Sequence, residues 1–557
     1  MSERRWNLEI TVAGGELAVD PTLQTDDATV LLGSSLRGVL RKTAWRFGQA
    51  RGEPCEGYDE TGRVAPGCGC VVCRLFGAPD RPGKLSVRSA LLPHSTHPLR
   101  TVSQVGIDRT TRTARRGGTT ADGGRTGGHL ATSVRLAVDD ERGVTFGLDA
   151  TDLSEEEGRF LDELWAWCEL TGLVLGRRSS TGVGWVRVVA RPSSSGDDRP
   201  AARTSPPEGP SLGERTVAVL RFEALEPWRL AGLVQRDAFR PVERRVPSST
   251  IRGALGWAVA RQLGGEFADD LFIERPIRLG PGWLGSPGAP DAAAADGGLA
   301  DPTHWLGLSR CRGADAHLVD VAGAEIRAGL DDMPTSLSCP TCGAPLKPVG
   351  SGDWSPMVIS QTAVDPHLRR AADGALRHQA TVPPGTVANA VVAGTIDQLE
   401  VLASITEVVV GGNRMRGLGR ARVSLHPLSD EHQWSDPWTP QTVSAANGDA
   451  PVVTLGFAGD AFVPISVTDT FSEAGLELVA ASVRVRARGG WDTLTGRPRP
   501  VRRLIQAGSW LAVTVPDRSG GGLGKRVAAA VDRLEAATVS SSADPDPDAV
   551  WFLPRRW

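Results

Sequence analysis

Four landmarks occur twice in this chain in the same order, and that loose repetition constrains the fold more than any other feature. The first set is GSSLRG (Gly33 to Gly38), a cysteine cluster, GIDRTTR (Gly106 to Arg112) and GRRSSTGVGWVRV (Gly176 to Val188). The second is PSSTIRG (Pro247 to Gly253), another cysteine cluster, AVDPHLRR (Ala363 to Arg370) and GGNRMRGLGRARV (Gly411 to Val423). The offsets differ: 215 from Ser34 to Ser249, 257 from Asp108 to Asp365, and 235 from Gly176 to Gly411. Solenoid repeats keep a fixed period, so this spacing predicts two copies of one scaffold with different insertions. At 557 residues the chain also exceeds what one core supports.

Local patterns fill in the scaffold. Trp6, Leu8, Ile10 and Val12 alternate as in a half-buried strand. Leu36, Val39, Leu40, Thr43 and Phe47 have helical spacing, with Ser34 or Ser35 as N-cap, and PSSTIRGALGWAVARQL repeats that helix start. Glu155 to Gly176 reads as an amphipathic helix before a strand, and Asp397 to Val410 as a helix before the second glycine strand. Arg191 to Glu214 has the Pro, Ser and Gly content of a linker. We therefore expect a first domain over 1–190, a linker over 191–214 and a second domain over 215–557. The last includes strand-like LELVAASVRVRA and SWLAVTV and a late helix from Leu523 to Ala537. The expected class is α+β, with each domain on a ferredoxin-like antiparallel sheet backed by helices and carrying a cysteine-bearing insertion.

The formal net charge of −3 excludes a generally cationic surface, so local charge decides. Arginines cluster at Arg109, Arg112, Arg115 and Arg116, at Arg414, Arg416, Arg420 and Arg422, and at Arg497, Arg499, Arg502 and Arg503. Beside glycines they suit a phosphate backbone: glycine lets main-chain amides approach, and guanidinium supplies charge. The helix starts at Ser34, Ser35, Ser248 and Ser249 offer further anion seats. Phosphate-contact candidates are Arg37, Arg41, Arg177, Arg178, Arg252, Arg414, Arg416 and Arg420. A dinucleotide cofactor is a poor fit, because strands rather than helices follow both glycine runs.

No apolar run reaches membrane-spanning length, and the start of the sequence is charged, so a cytoplasmic protein is expected. In that compartment clustered cysteines point to metal ligation. Cys55, Cys68, Cys70 and Cys73 are expected to hold a structural zinc, since four thiolates leave no open position for catalysis. Cys339 and Cys342 form a C-P-T-C-G knuckle with Cys311 nearby, the fourth ligand being His304, His317 or a carboxylate. Cys168 reads as a core residue. No Ser, His and Asp set has nucleophilic spacing. An aspartate of the first copy, among Asp20, Asp26, Asp27 and Asp108, offers a seat for a magnesium or manganese ion that polarises a phosphate.

GSSLRGVLRK, CGCVVCRLFGAP, GIDR and the first glycine strand resemble the RAMP superfamily of type III CRISPR effectors, specifically the guide-coating backbone subunit of the Cas-seven group. From Thr216 onward, VPSSTIRGALGWAVA, CPTCG, Ala363 to Asp365 and GGNRMRGLGRARV are similar to the type III-D subunit of the Cas-five group. The resemblance implies a fusion that holds CRISPR RNA, caps its 5′ end and works beside target RNA and other effector subunits. It further implies that an aspartate before the G-S-S helix cuts target RNA with a divalent metal. Asp20 is the best positional match, with Asp26 and Asp27 as alternatives. The arm bearing Ile107 and Arg109 is implied to wedge between bases. The sequence departs from the family at Leu32, where proline is usual, and in the weakened C-terminal glycine loop SGGGLGKR. A structural clamp without nuclease activity is one alternative. A guide-processing endoribonuclease is another, but it needs a histidine base, and none lies near the first strand or its helix.

Overall fold

The computed structural model describes residues 4–12, 16–19, 23–24, 28–53, 55, 68–78, 81–105, 130–138, 143–175, 184–193, 211–212, 215–230, 239–240, 242, 245–285, 308–311, 318–320, 322–331, 338–339, 341–348, 355–361, 377–427, 440–445, 448–462, 466–492, 497–516, 522–539 and 552–554. It mixes helices with antiparallel sheets. The first sheet has Arg4–Val12 at its centre, between Val144–Ala150 and Trp185–Pro192, with Leu85–Val87 beyond Val144–Ala150 and Leu173–Val174 at the other edge. Numbered in chain order, its four principal strands lie 2-3-1-4. The alternation read at Trp6, Leu8, Ile10 and Val12 turns these side chains onto helices α1 (Gly33–Ala50), α2 (Val71–Phe76) and α3 (Glu155–Thr171).

The second sheet repeats that order. Arg215–Ala224 is central between Val387–Gly394 and Arg420–Pro427, with Arg278–Leu279 and Gly282–Leu284 paired to Val387–Gly394 and Glu407–Val409 at the far edge. Helix α4 (Ser248–Gln262) stands where α1 stands, and Ile396–Ala403 stands where α3 stands. Both second helices open with a capping box, Ser154 with Glu157 and Thr395 with Gln398. The expected helix from Asp397 stops at Ala403 and becomes a strand at Glu407–Val409, because Thr406, Val408, Val409 and Val410 are β-branched and prefer a pleated surface. Trp185–Pro192 runs two residues into the stretch read as linker, pairing Arg191 with Asn7 and Pro192 with Trp6.

Residues 427–557, expected to complete the second domain, instead build a third sheet with its own cores. Gly448–Phe457 lies between Trp510–Thr514 and Phe552–Pro554, and Glu477–Ser482 flanks Trp510–Thr514, again in the order 2-3-1-4 and antiparallel. Helices Val467–Glu473 and Leu523–Val539 follow strands 1 and 3, as in the other two units, and pack on one face. The other face buries Val443, Val452, Trp510 and Ala512 against Ala322, Ile326 and Leu330 of helix Ala322–Asp331, which the second unit contributes. No helix among the described residues is long and apolar enough to cross a membrane.

Candidate nucleic-acid interface

The two glycine and serine landmarks meet in space. The turn between Val410 and Arg420, from the second unit, lies against the start of α1 in the first. Four residues there have positive φ: Gly411 (83°), Asn413 (62°), Gly417 (70°) and Gly419 (105°). Glycine is required at position 417 in particular, since a Cβ would stand 2.5 Å from the Val87 carbonyl oxygen and 2.8 Å from the Ser89 nitrogen. Ser89 ties the seam together. Its hydroxyl accepts from the Gly33 amide at 3.0 Å and donates to the Gly417 carbonyl, while its own amide donates to Glu226 Oε1 at 2.8 Å. Glu226 Oε2 accepts from the Arg420 amide at 3.3 Å. Burial pushes the Glu226 carboxyl above its ordinary range, although the Ser89 and Arg420 amides pull the other way.

The serines do not cap as expected. Leu32 is the N-cap of α1 and Pro247 that of α4, and neither helix start has a side-chain cap. Ser89, between strands Leu85–Val87 and Ala90–Pro93, takes that role for α1, leaving Ser34 half-buried and Ser35 exposed. In α4, Ser249 is half-buried, and Ser248 is buried with its hydroxyl unpartnered.

The expected phosphate contacts divide. Arg37 Nη2 donates to the Phe76 carbonyl at 2.7 Å, and its guanidinium lies over the Phe76 ring at 5.9 Å. Arg252 does the same in the second unit, donating to the Phe272 carbonyl at 3.0 Å with the ring at 5.9 Å. Both face inward because the short helical segment that follows ends in carbonyls needing donors. Arg41 reaches the Phe76 carbonyl at 3.4 Å and Cys73 Sγ at 3.7 Å. Arg420 is bound in a fork to Glu407 at 3.0 and 2.8 Å, so its charge is matched.

Arg414 and Arg416 differ. Both are exposed on the 3-10 turn Arg414–Arg416, which touches α1, and neither has an acidic partner among the described residues. The charge of Arg416 reaches into the seam: burial, then Arg416 and Arg41, push the Arg37 guanidinium down to about 10. A cationic rim beside a helix N-terminus is chemistry that accepts phosphate.

Cys55, Cys68, Cys70 and Cys73 come together with all four sulfurs within 4.8 Å of one another. Cys55 Sγ lies 3.8 Å from that of Cys68 and 3.6 Å from that of Cys73. Tetrahedral zinc with sulfur bonds of about 2.3 Å requires sulfurs about 3.8 Å apart, so the set can hold a metal ion and is compatible with zinc. Cys70 also caps α2 by accepting from the Cys73 amide at 3.4 Å. The knuckle shows Cys339 buried and Cys342 exposed, with Cys339 accepting from the Gly343 amide at 2.8 Å. Cys311 pairs with Leu346 of strand Leu346–Pro348, which follows the knuckle, and this brings its backbone close. Cys168 is fully buried in the first core, and burial pushes its thiol up to about 12.

Asp20, Asp26, Asp27, Ile107, Asp108, Arg109, Arg177, Arg178, His304, His317 and Asp365 lie outside the described residues. Sequence reasoning missed Ser89 and Glu226, which no local motif marks.

Residues 19–187 match the family described as the RAMP superfamily, so the first unit is similar to that family. No curated protein matches the chain. Among solved structures, a chain of the type III-B Cmr-beta complex bound to cognate target RNA is 11% identical, with a TM-score of 0.30, over 53% of this chain and 86% of that one. The same complex with target RNA and AMPPnP gives a TM-score of 0.31 at 11% identity over the same shares. A chain of its apo state gives 0.24 at 12%, over 38% of this chain and 96% of that one. TM-scores this low carry no argument about fold or activity.

Proposed function

We propose that this chain is an RNA-binding subunit of a type III CRISPR effector complex, holding the guide along the seam between its first two units. Each unit is taken as a ferredoxin-like RAMP module, the first of the backbone kind and the second of the type III-D capping kind that holds the 5′ handle. The observation that carries the reading is the exposed pair Arg414 and Arg416, which the second unit sets against α1 of the first, the unit that matches the RAMP superfamily. Partners would be CRISPR RNA, target RNA and further effector subunits. Base pairing would supply sequence specificity, and the protein would read backbone and shape.

The four-cysteine set is assigned a structural zinc. It would hold α2 so that the Phe76 carbonyl receives Arg37 and Arg41, and would fix the floor of the seam. Metal analysis should find zinc, lost in Cys68→Ser. Target cleavage is assigned to Asp20 with magnesium or manganese, Asp26 and Asp27 being the alternatives.

Purifying the chain with its neighbours and sequencing the bound nucleic acid tests the class: a short RNA of uniform 5′ end supports it, and absence of RNA sinks it. Cutting of a guide-complementary RNA by wild type but not by Asp20→Ala supports the nuclease. Cutting by neither leaves a structural clamp, and metal-free cutting of repeat RNA points to guide processing.

A further inference from the structure

The third arginine cluster belongs to neither the seam nor the first two units. It lies on a two-stranded antiparallel ribbon, Val485–Asp492 with Arg497–Ile505, inserted between strands 2 and 3 of the third sheet. From 484 to 505 the sequence carries seven arginines against one acid, Asp492, in a chain whose net charge is −3. Register sorts them. Arg486 is opposite Leu504, Arg488 opposite Arg502, Gly490 opposite Arg499 and Asp492 opposite Arg497. Directly paired residues share a face, and alternate residues along a strand return to it. Arg486, Arg488, Arg497, Arg499 and Arg502 therefore occupy one face with Asp492 at its end. Arg503, paired with Ala487, takes the other.

We infer that this face is a second binding surface for a single RNA strand, separate from the seam and contributed by the third unit. Three observations carry it. The register sets Arg488 directly opposite Arg502, so the ribbon places two positive residues at neighbouring positions. Alternate residues of a strand stand about 6.8 Å apart, a spacing of the same order as phosphates along an extended chain. The ribbon also has a counterpart in the first unit: Leu99–Val105 pairs with Leu130–Ala137 between the same two strands and flanks the arginine-bearing stretch 106–129. The inference rests on the proposed function only in taking RNA as the polymer.

The test is fluorescence anisotropy of the full chain, freed of nucleic acid, with a labelled single-stranded RNA lacking self-complementarity, titrated over salt. Each lost phosphate contact lowers the salt slope by about 0.7. The triple variant Arg488→Ser, Arg499→Ser, Arg502→Ser should lower it by about 2 and weaken low-salt affinity about tenfold or more, with an unchanged unfolding midpoint. Arg503→Ser should leave both binding measures as in wild type. An unchanged slope in the triple variant overturns the inference, and so does polyglutamate competing as well as RNA, since that marks an acidic protein surface. Arg414→Ser with Arg416→Ser runs in parallel. Loss there without loss in the ribbon sinks the ribbon alone. Loss in the ribbon without loss there sustains the ribbon and removes the seam. A wild type that binds no RNA removes the functional reading itself.

Discussion

The second unit docks on the first, and the third docks on the second, through contacts that begin alike and end differently. In each case a buried acid two or three residues past the docking unit's central strand reaches back to the preceding unit: Glu226 to the Ser89 amide, and Asp460 to Arg245 just ahead of α4. Each also accepts an amide of its own unit, from Arg420 and Ala507 respectively. At the second junction the arginine is neutralised. Arg245 and Asp460 form an ion pair at 2.8 Å with side chains only 6% and 3% exposed. At the first junction the acid meets main-chain amides, and the arginines of the adjoining turn, Arg414 and Arg416, stay exposed. One seam is closed by charge pairing and serves cohesion; the other keeps unmatched positive charge available for a ligand.

This contrast predicts that stability and RNA binding separate by seam. Asp460→Ala leaves a buried guanidinium uncompensated and should cost about 3–5 kcal/mol, read by urea denaturation. Replacing the pair together, Arg245→Met with Asp460→Leu, should recover most of that loss. If the single change costs under about 1 kcal/mol, the second seam is not cohesive in this way.

Gly417→Ala comes next. Its positive φ and its approach to Val87 and Ser89 make the substitution strained, at about 1–3 kcal/mol. It should lower RNA affinity as well as stability, because it lifts the turn that carries Arg414 and Arg416. A loss of stability with unchanged affinity would separate the turn from the ligand.

Glu226 gives the pH dependence. Its folded carboxyl is raised by burial, so its contribution is fully present below the ordinary carboxylate range and is lost as pH rises through the raised value. Glu226→Gln should therefore compare better with wild type at pH 8 than at pH 5 in paired denaturation curves. Equal differences at both values would place the titration elsewhere. The smallest effect on stability belongs to Arg414→Ser with Arg416→Ser, within about 0.5 kcal/mol of wild type. The same variant should lower the salt slope for single-stranded RNA by about 1.4.

Much of the scaffold was legible because its signals are local. The alternation in Arg4–Val12, the amphipathic spacing that opens at Glu155, and the spacing of Cys55, Cys68, Cys70 and Cys73 each need only neighbouring residues to be read. The third unit was not legible as a unit. It lacks the glycine and serine landmarks, and its strands are joined by long connections such as 515–551. A search for strand, helix, strand, strand, helix, strand in that order offered the one available signal.

Sequence by itself determined the repeated helix starts, the thiol set and the positions where arginine accumulates, since these follow from residue type and short spacing. Tertiary structure decided which arginines are spent and which are available. Arg37 and Arg252 turn inward to carbonyls, Arg420 is matched by Glu407, and Arg414 and Arg416 remain outward. The physical reason is that a charge is defined by what faces it. Those partners arrive from strands and turns far along the chain, brought close only by sheet register and by the packing of one unit on the next.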